Sequence, residues 1–335
     1  MDLEQKAKKL IKEYGMICGG DKILVAFSGG SDSSALLFFL LGYAGEANKF
    51  EIYAAHLNHR IRGADADSDE KSAAETCGRY NVKIFAERRD IPEIAKKAKK
   101  SLEEAARAER YDFLKKTAEK IGGAVKIATA HTASDNTESV IFNLARGCGI
   151  DGLRGVAPVN GNIIRPLLSC SSEDVAEYCE KNSINYVTDK TNSDETYTRN
   201  FIRHNVASKL KEKFENLDEN IFKTSEIMRA AADFLDYCAD GLTGRADSGA
   251  PLAYLAAQHE FIKRALIAKL YGNAVFPDVR KLEYRHILYV EDLMDNPQNH
   301  GKSIDLPGFV TARVSGGNLV FEKSNNKMTS GKNRR

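Results

Sequence analysis

Residues 22–41 read KILVAFSGGSDSSALLFFLL. The apolar run Ile23 to Phe27 stops at Ser28-Gly29-Gly30-Ser31-Asp32-Ser33, and a second apolar run follows at once. A glycine-rich turn between a buried strand and a helix presents successive backbone N–H groups to an anion. Gly29 and Gly30 allow backbone angles and a close approach that a Cβ would hinder. Ser31 and Ser33 add hydroxyl donors, and the helix N-terminus adds partial positive charge. Asp32 would be repelled by a phosphate unless a cation intervenes, which points to Mg²⁺ held by Asp32 and bridging phosphate oxygens. The stretch has no lysine, so it is not the G-x-x-x-x-G-K-[ST] loop, and it lacks G-x-G-x-x-G as well. The competing reading is a tight strand-to-helix turn with Ser31 or Asp32 as the helix cap.

The rest of the first half repeats the same alternation. Strands are expected at 22–27, 51–57, 82–86, 125–130 and 162–168, with helices near 32–43, 66–80, 92–121, 133–146 and 172–182. Buried strands separated by helix-length segments predict an α/β fold, a Rossmann-like parallel sheet covered on both faces. In such sheets ligands bind beyond the carboxyl ends of the strands. The polar clusters fall there: Ser28 to Ser33, His56 to Arg62, and His131 to Asn136. From about residue 212 the pattern turns mainly helical and ends in a short hairpin with Gly316-Gly317 at its turn. The expected division is a domain over 1–211, a smaller, mainly helical domain over 212–323 with the terminal hairpin, and a disordered tail over 324–335.

Forty-nine Lys and Arg against forty-seven Asp and Glu leave a net charge of +2, so local clusters rather than the whole chain must indicate a charged partner. No run approaches the roughly 18 apolar residues of a membrane span. The six cysteines include no C-x-x-C pair, which suits a reduced cytoplasmic protein and argues against a cysteine-held cluster. Arg107 and Arg110 share a helix face and are placed to grip a polyphosphate or a carboxylate, unless Glu103 and Glu104 pair with them. Arg199 and Arg203 stand four apart, and Lys209, Lys211 and Lys213 follow. That basic stripe suits phosphate, of a nucleotide or of RNA. Asp135 is placed to share a metal with Asp32 or to orient an amine; its alternative is another helix cap. His56, His59 and His131 read as nucleotide contacts or as satisfied rim histidines.

S-G-G-x-D-S after a first strand resembles the pyrophosphate loop (PP-loop) of N-type ATP pyrophosphatases, which have the adenine-nucleotide-alpha-hydrolase-like fold. Four further stretches are similar to the tRNA(Ile)-lysidine synthetases of that superfamily: HLNHRIRG (56–63), SLEEAARAERYDFL (101–114), ATAHTASDNTESVIFNLARGCGIDGLRGV (128–156), and IIRPLL (163–168) with DKTNSDETYTRNFIRHNV (189–206). The resemblance implies adenylation of the carbonyl oxygen at carbon 2 of the wobble cytidine of a tRNA(Ile) with a CAU anticodon, followed by attack of free L-lysine at that carbon. ATP and Mg²⁺ are the implied cofactors. It implies a catalytic role for Asp32, Asp135 and Arg107, with Asp32 and Asp135 on the metal. ATP would lie on Ser28, Gly29, Gly30, Ser31, Asp32, Ser33, His56, Asn58, His131 and Arg199. Arg110, Asn136, Glu138, Arg146, Asn200 and Arg203 would meet tRNA or lysine. The helical region would read tRNA; the location is cytoplasmic, with no membrane, and a homodimer is compatible.

The sequence departs from the common A-H-H-x-D-D-Q-x-E-T pattern at one place. It reads A-H-T-A-S-D-N-T-E-S, with Thr132, Ser134 and Asn136 at positions of a histidine, an acid and a glutamine. Two alternatives stay open: a cytidine-thiolating enzyme, which typically needs the missing C-x-x-C, and a non-catalytic RNA- or nucleotide-binding homologue.

Overall fold

Ile23, Leu24 and Val25 are all fully buried, as a strand covered on both faces requires. The computed structural model, which describes residues 1–45, 49–61, 63–187, 198–243, 249–275, 282–299 and 301–324, places them at the centre of a sheet. Arg62, residues 189–197 and all but the first residue of the expected tail lie outside the described residues.

The chain runs through α1 (Leu3–Glu13), β1 (Lys22–Ala26), α2 (Ser31–Gly45), β2 (Glu51–Asn58), α3 (Ala64–Arg79), β3 (Lys83–Arg88), α4 (Ile91–Ala98) and α5 (Leu102–Ile121). It continues through β4 (Val125–Ala128), α6 (Ala133–Arg146), the single turn α7 (Ile150–Leu153), β5 (Val159–Asn160), β6 (Ile163–Ile164) and α8 (Ser172–Lys181). Next, α9 (Thr198–Phe201), a π-helical stretch (Ile202–Ala207) and α10 (Ser208–Lys211) form one helical segment, before α11 (Leu217–Thr243). Two compact units result, residues 1–148 with 152–226 and residues 149–151 with 227–335.

In the first unit the sheet order is β3-β2-β1-β4-β6-β5, parallel throughout except for the β5–β6 pair. Side chains alternate along β1. Ile23 and Val25 join α1, α2 and α8 in one core, while Leu24 packs with Phe113 and Leu114 of α5 on the other face. From β1 the chain moves outward to β2 and β3, then returns to β4 on the opposite side of β1. Such a reversal opens a crevice at the carboxyl ends of the strands. Ala26 pairs with Ala55 and Val25 with Ala128, so the segments after β1, β2 and β4 leave the sheet at one edge.

Two elements differ from the expectation. The helix expected over 92–121 divides into α4 and α5, because Lys99 takes a left-handed conformation (φ 52°) and Ser101 with Glu104 forms a capping box for a new helix. The strand expected over 162–168 pairs only through Ile163 and Ile164. Pro166 has no N–H to give to a ladder, and Leu167 and Leu168 bury themselves in a turn instead.

The second unit contains β7 (Gly249–Pro251), α12 (Leu252–Ala256), α13 (Glu260–Ala274), α14 (Tyr284–Asp295), β8 (Ser303–Leu306), β9 (Val310–Ser315) and β10 (Asn318–Lys323). The expected hairpin is there as β9 and β10, with Gly316 and Gly317 both at positive φ in the turn. A lone hairpin is marginal in water, and here β7 and β8 extend it to an antiparallel sheet of order β7-β10-β9-β8. Val310, Ala312 and Val314 face a core with Leu266, Leu270 and Val290, while Arg313 on the other face pairs with Glu322. No described helix is long and apolar enough to cross a membrane.

Candidate functional site

The segments after β1, β2 and β4, together with α5, line a cleft of about 430 Å³. From the loop of residues 28–33, Ser28, Asp32 and Ser33 line it, whereas Gly29, Gly30 and Ser31 do not. Gly29 holds φ 87°, a conformation open to glycine and strained for other residues. The Ser33 hydroxyl stands inside the turn and accepts from the backbone N–H groups of Ser28 (3.2 Å) and Gly29 (3.1 Å). It lies 3.0 Å from the Ser28 hydroxyl and 3.1 Å from the Gly30 carbonyl. The Val187 N–H donates to the Gly29 carbonyl (2.9 Å), tying the loop to the segment after α8. A turn at a helix N-terminus is thus present as the sequence predicted, with the N–H groups of Ser28 and Gly29 held by the Ser33 hydroxyl and that of Gly30 by the Ser28 hydroxyl (3.4 Å).

Two carboxylates meet across the cleft, Asp32 in the first turn of α2 and Asp135 in the first turn of α6. Burial, and then the charge of Asp135, push the Asp32 carboxyl up from 3.8 to about 6. Arg203 opposes that rise. Asp135 is also a cap: its Oδ2 accepts from the backbone N–H (2.8 Å) and hydroxyl (3.1 Å) of Thr132, while Oδ1 lies 3.3 Å from Arg203 Nη2. The capping reading and the site reading thus hold together. The Arg203 Nε–H donates to Glu138, whose carboxyl is raised by burial against the pull of that arginine. Among the described residues no group of three His, Cys, Asp or Glu is arranged to enclose a metal. The Asp32–Asp135 pair suits Mg²⁺, which commonly takes one or two protein carboxylates and completes its shell with phosphate oxygens and water.

The opposite wall is cationic. Arg107 and Arg110 line the cleft from α5. Neither has a carboxylate partner among the described residues: Glu104 is engaged in the Ser101 capping box and Glu103 pairs with Arg199. Arg107 stacks over Tyr111 at 5.2 Å. His131 is driven down to about 4 by burial, aided by Arg165, Arg107 and Arg110 and opposed by Asp135, so it is neutral at pH 7. Its Nδ1 lies 3.0 Å from the Thr129 hydroxyl. Burial also lowers His56, whose Nδ1 is 3.0 Å from the Phe27 carbonyl. A carbonyl can only accept, so Nδ1 carries the proton and Nε2 is an acceptor.

The remaining candidates are distributed differently. Asn58 lines the cleft but spends its amide on the Ala66 carbonyl, Asp67 and Glu70, and its oxygen on the Arg60 N–H, thereby fastening the β2–α3 loop. Asn136 is fully buried; its Nδ2 donates to Ser225 and its Oδ1 accepts from the Val156 N–H. Arg146, exposed at the end of α6, lies over Phe142, and Arg199 is exposed beside Glu103. Neither of these arginines lines the cleft, nor does Asn200. Ser134 points into a buried contact with Asp218 and Ser172, so the departure at that position removes no group from the cleft. Thr132 is the helix cap. Sequence reasoning passed over Arg165, 5% exposed, which donates to the Ala157 carbonyl (2.6 Å) and to Tyr111, and adds to the positive field at His131. Its signal was an arginine inside the apolar run IIRPLL.

Residues 1–210 match the family model described as a PP-loop domain. The tRNA(Ile)-lysidine synthase of Caldanaerobacter subterraneus subsp. tengcongensis is 34% identical over 96% of this chain and 70% of its own length. The Clostridium tetani protein of the same name is 32% identical over 95% of this chain and 69% of its own. That of Thermosipho africanus is 45% identical over 63% of this chain and 49% of its own. Among solved structures, the U34-tRNA thiolase NcsA of Methanococcus maripaludis, with its [4Fe-4S] cluster, shares the fold at a TM-score of 0.55 and 15% identity, covering 68% of this chain and 78% of that one. With the loop, the facing carboxylates and the arginine wall in one cleft, and with sequence similarity running through both units, the chain belongs to the tRNA(Ile)-lysidine synthase family of PP-loop proteins.

Proposed function

We propose that this protein ligates free L-lysine to carbon 2 of the wobble cytidine of a cytoplasmic tRNA(Ile) with a CAU anticodon, converting ATP to AMP and pyrophosphate. The observation that carries the proposal is the meeting of Asp32 and Asp135 in one cleft with Arg107 and Arg110, which have no carboxylate partner among the described residues, beside Ser28 and Ser33 of the glycine-rich loop. ATP lies with its β- and γ-phosphates on residues 28–33. When bound, Mg²⁺ supplies positive charge to the polyphosphate through Asp32 and Asp135.

The cytidine O2 attacks the α-phosphorus, the bond to the β-phosphate oxygen breaks, and pyrophosphate leaves toward the loop amides. Arg107 and Arg110 offset the negative charge that develops at phosphorus and on the leaving group. The lysine ε-amine then attacks carbon 2, and AMP departs with the former O2. That amine must lose its proton; Asp135, which lines the cleft, orients it or accepts the proton, with Glu138 one turn on holding Arg203 beside it. Neutral His56 and His131 offer hydrogen bonds to a base without adding charge. The helical region from residue 212 is assigned to tRNA recognition, where an unstacked anticodon base is presented to the cleft.

Sulfur transfer is not favoured. The chain has no C-x-x-C pair for a relay or cluster, and the buried Cys77, Cys170 and Cys179 have thiols raised by desolvation. Incubation with ATP, Mg²⁺, labelled lysine and either tRNA(Ile)-CAU or methionine tRNA tests the proposal. Label should enter only the isoleucine tRNA; equal labelling of both, or of neither, would count against it.

A further inference from the structure

The contact between α6 and the start of α11 is polar, buried and built around one carboxylate. Ser134, Thr137 and Asp218 are 8%, 0% and 5% exposed. The Ser134 hydroxyl donates to Asp218 Oδ2 at 2.5 Å, and the Thr137 hydroxyl lies 2.7 Å from Oδ1. Lys211 Nζ stands 2.7 Å from the same Oδ2, 3.3 Å from Ser134 Oγ and 3.1 Å from Glu173. A buried carboxylate is tolerated when a cation and hydrogen bonds satisfy it, and all of these are present. One turn of α6 therefore fixes residues 134 and 137 on Asp218, while residues 135 and 138 on the neighbouring face of the helix meet Arg203. Arg203 and Lys211 belong to the same helical segment, so Asp218 anchors both layers that hold Asp135 and Glu138: their own helix through Ser134 and Thr137, and their arginine through Lys211.

We propose that Asp218 is a positioning residue for the reaction, setting the placement of Asp135, Glu138 and Arg203 from behind without touching substrate. The inference rests on the lysidine reading for its kinetic arm only. Asp218→Asn should lower kcat for lysine transfer roughly tenfold to a hundredfold, in line with the cost of small misplacement of catalytic groups. The KM for ATP should rise as kcat falls, because Asp135 is one of the two carboxylates assigned to the ATP-bound metal. A residue that merely stabilises the fold would lower the unfolding temperature and leave the kcat of the folded enzyme unchanged.

The 2.5 Å separation also allows an exchange, since Lys211 Nζ reaches both positions. Ser134→Asp alone should place two carboxylates together and lower both the unfolding temperature and kcat. Ser134→Asp with Asp218→Ser should recover most of each. Unchanged kcat in folded Asp218→Asn, or a double variant no better than Ser134→Asp, would overturn the proposal. An inactive parent chain would instead contradict the lysidine reading, and recovery of the unfolding temperature would still decide the exchange.

Discussion

Asp32 illustrates how burial beside a second carboxylate shifts a titrating group. Its folded-state value of about 6 lies above the ordinary 3.8, so the folded protein binds that proton more tightly than the unfolded chain. The associated stability is fully present below pH 3.8 and is lost as pH rises through 6, about 3 kcal/mol in all. Asp32→Asn should therefore abolish turnover yet raise the unfolding temperature at pH 8 by several degrees, with little gain at pH 3.5. Thermal melts of both proteins across that range check the sign. The motif pattern made Asp32 and Asp135 legible because each follows a strand end closely, and the arginine pair legible because residues three apart share a helix face. Asn136 was not legible in the same way. Its motif position suggested substrate contact, whereas its amide joins Ser225 to the Val156 backbone, a partnership between residues far apart in sequence. Gly155 shows how closely that amide is surrounded: an added Cβ would come within 2.1 Å of Asn136 Oδ1, at φ 59°. Gly155→Ala should cost roughly 2–4 kcal/mol in chemical denaturation.

Among the elements, α5 carries Arg107 and Arg110, and its placement depends on Arg89 just past β3. That guanidinium, 11% exposed, contacts Glu87 (2.7 Å), Glu109 (2.5 Å) and Asp112 (2.8 Å). Arg89→Met should leave three half-exposed carboxylates in mutual repulsion, costing about 1–2 kcal/mol after solvent screening. It should also weaken ATP use by displacing the arginine wall, as ATP titrations of the folded variant would show. Element identity in the first unit could be read from periodicity, since β1, β2 and β4 are apolar runs of the expected length. Boundaries could be read where a local signal existed, as with the Ser101 capping box, and were missed where backbone geometry decided. Lys99 in the left-handed region ends α4 without glycine, and Pro166 ends β6 inside an apolar run.

At the scale of the molecule, the first unit brings three sheet-edge segments and α5 to one cleft, a consequence of strand order that follows from the alternation of strands and helices. The second unit was harder to read. β7 and β8 are three and four residues long, too short to stand out until β9 and β10 give them a partner. Identity across most of the chain with relatives named tRNA(Ile)-lysidine synthase includes this unit, and the arginines and carboxylates of the first unit's cleft are the groups to which the proposed reaction assigns its chemistry. The most direct test is mass spectrometry of the nucleosides released from tRNA(Ile)-CAU after incubation with the protein, ATP, Mg²⁺ and lysine. The account predicts that the wobble cytidine becomes a nucleoside heavier by one lysine less one water, with AMP and pyrophosphate formed in equal amounts. An unmodified or a sulfur-containing cytidine at that position would contradict it.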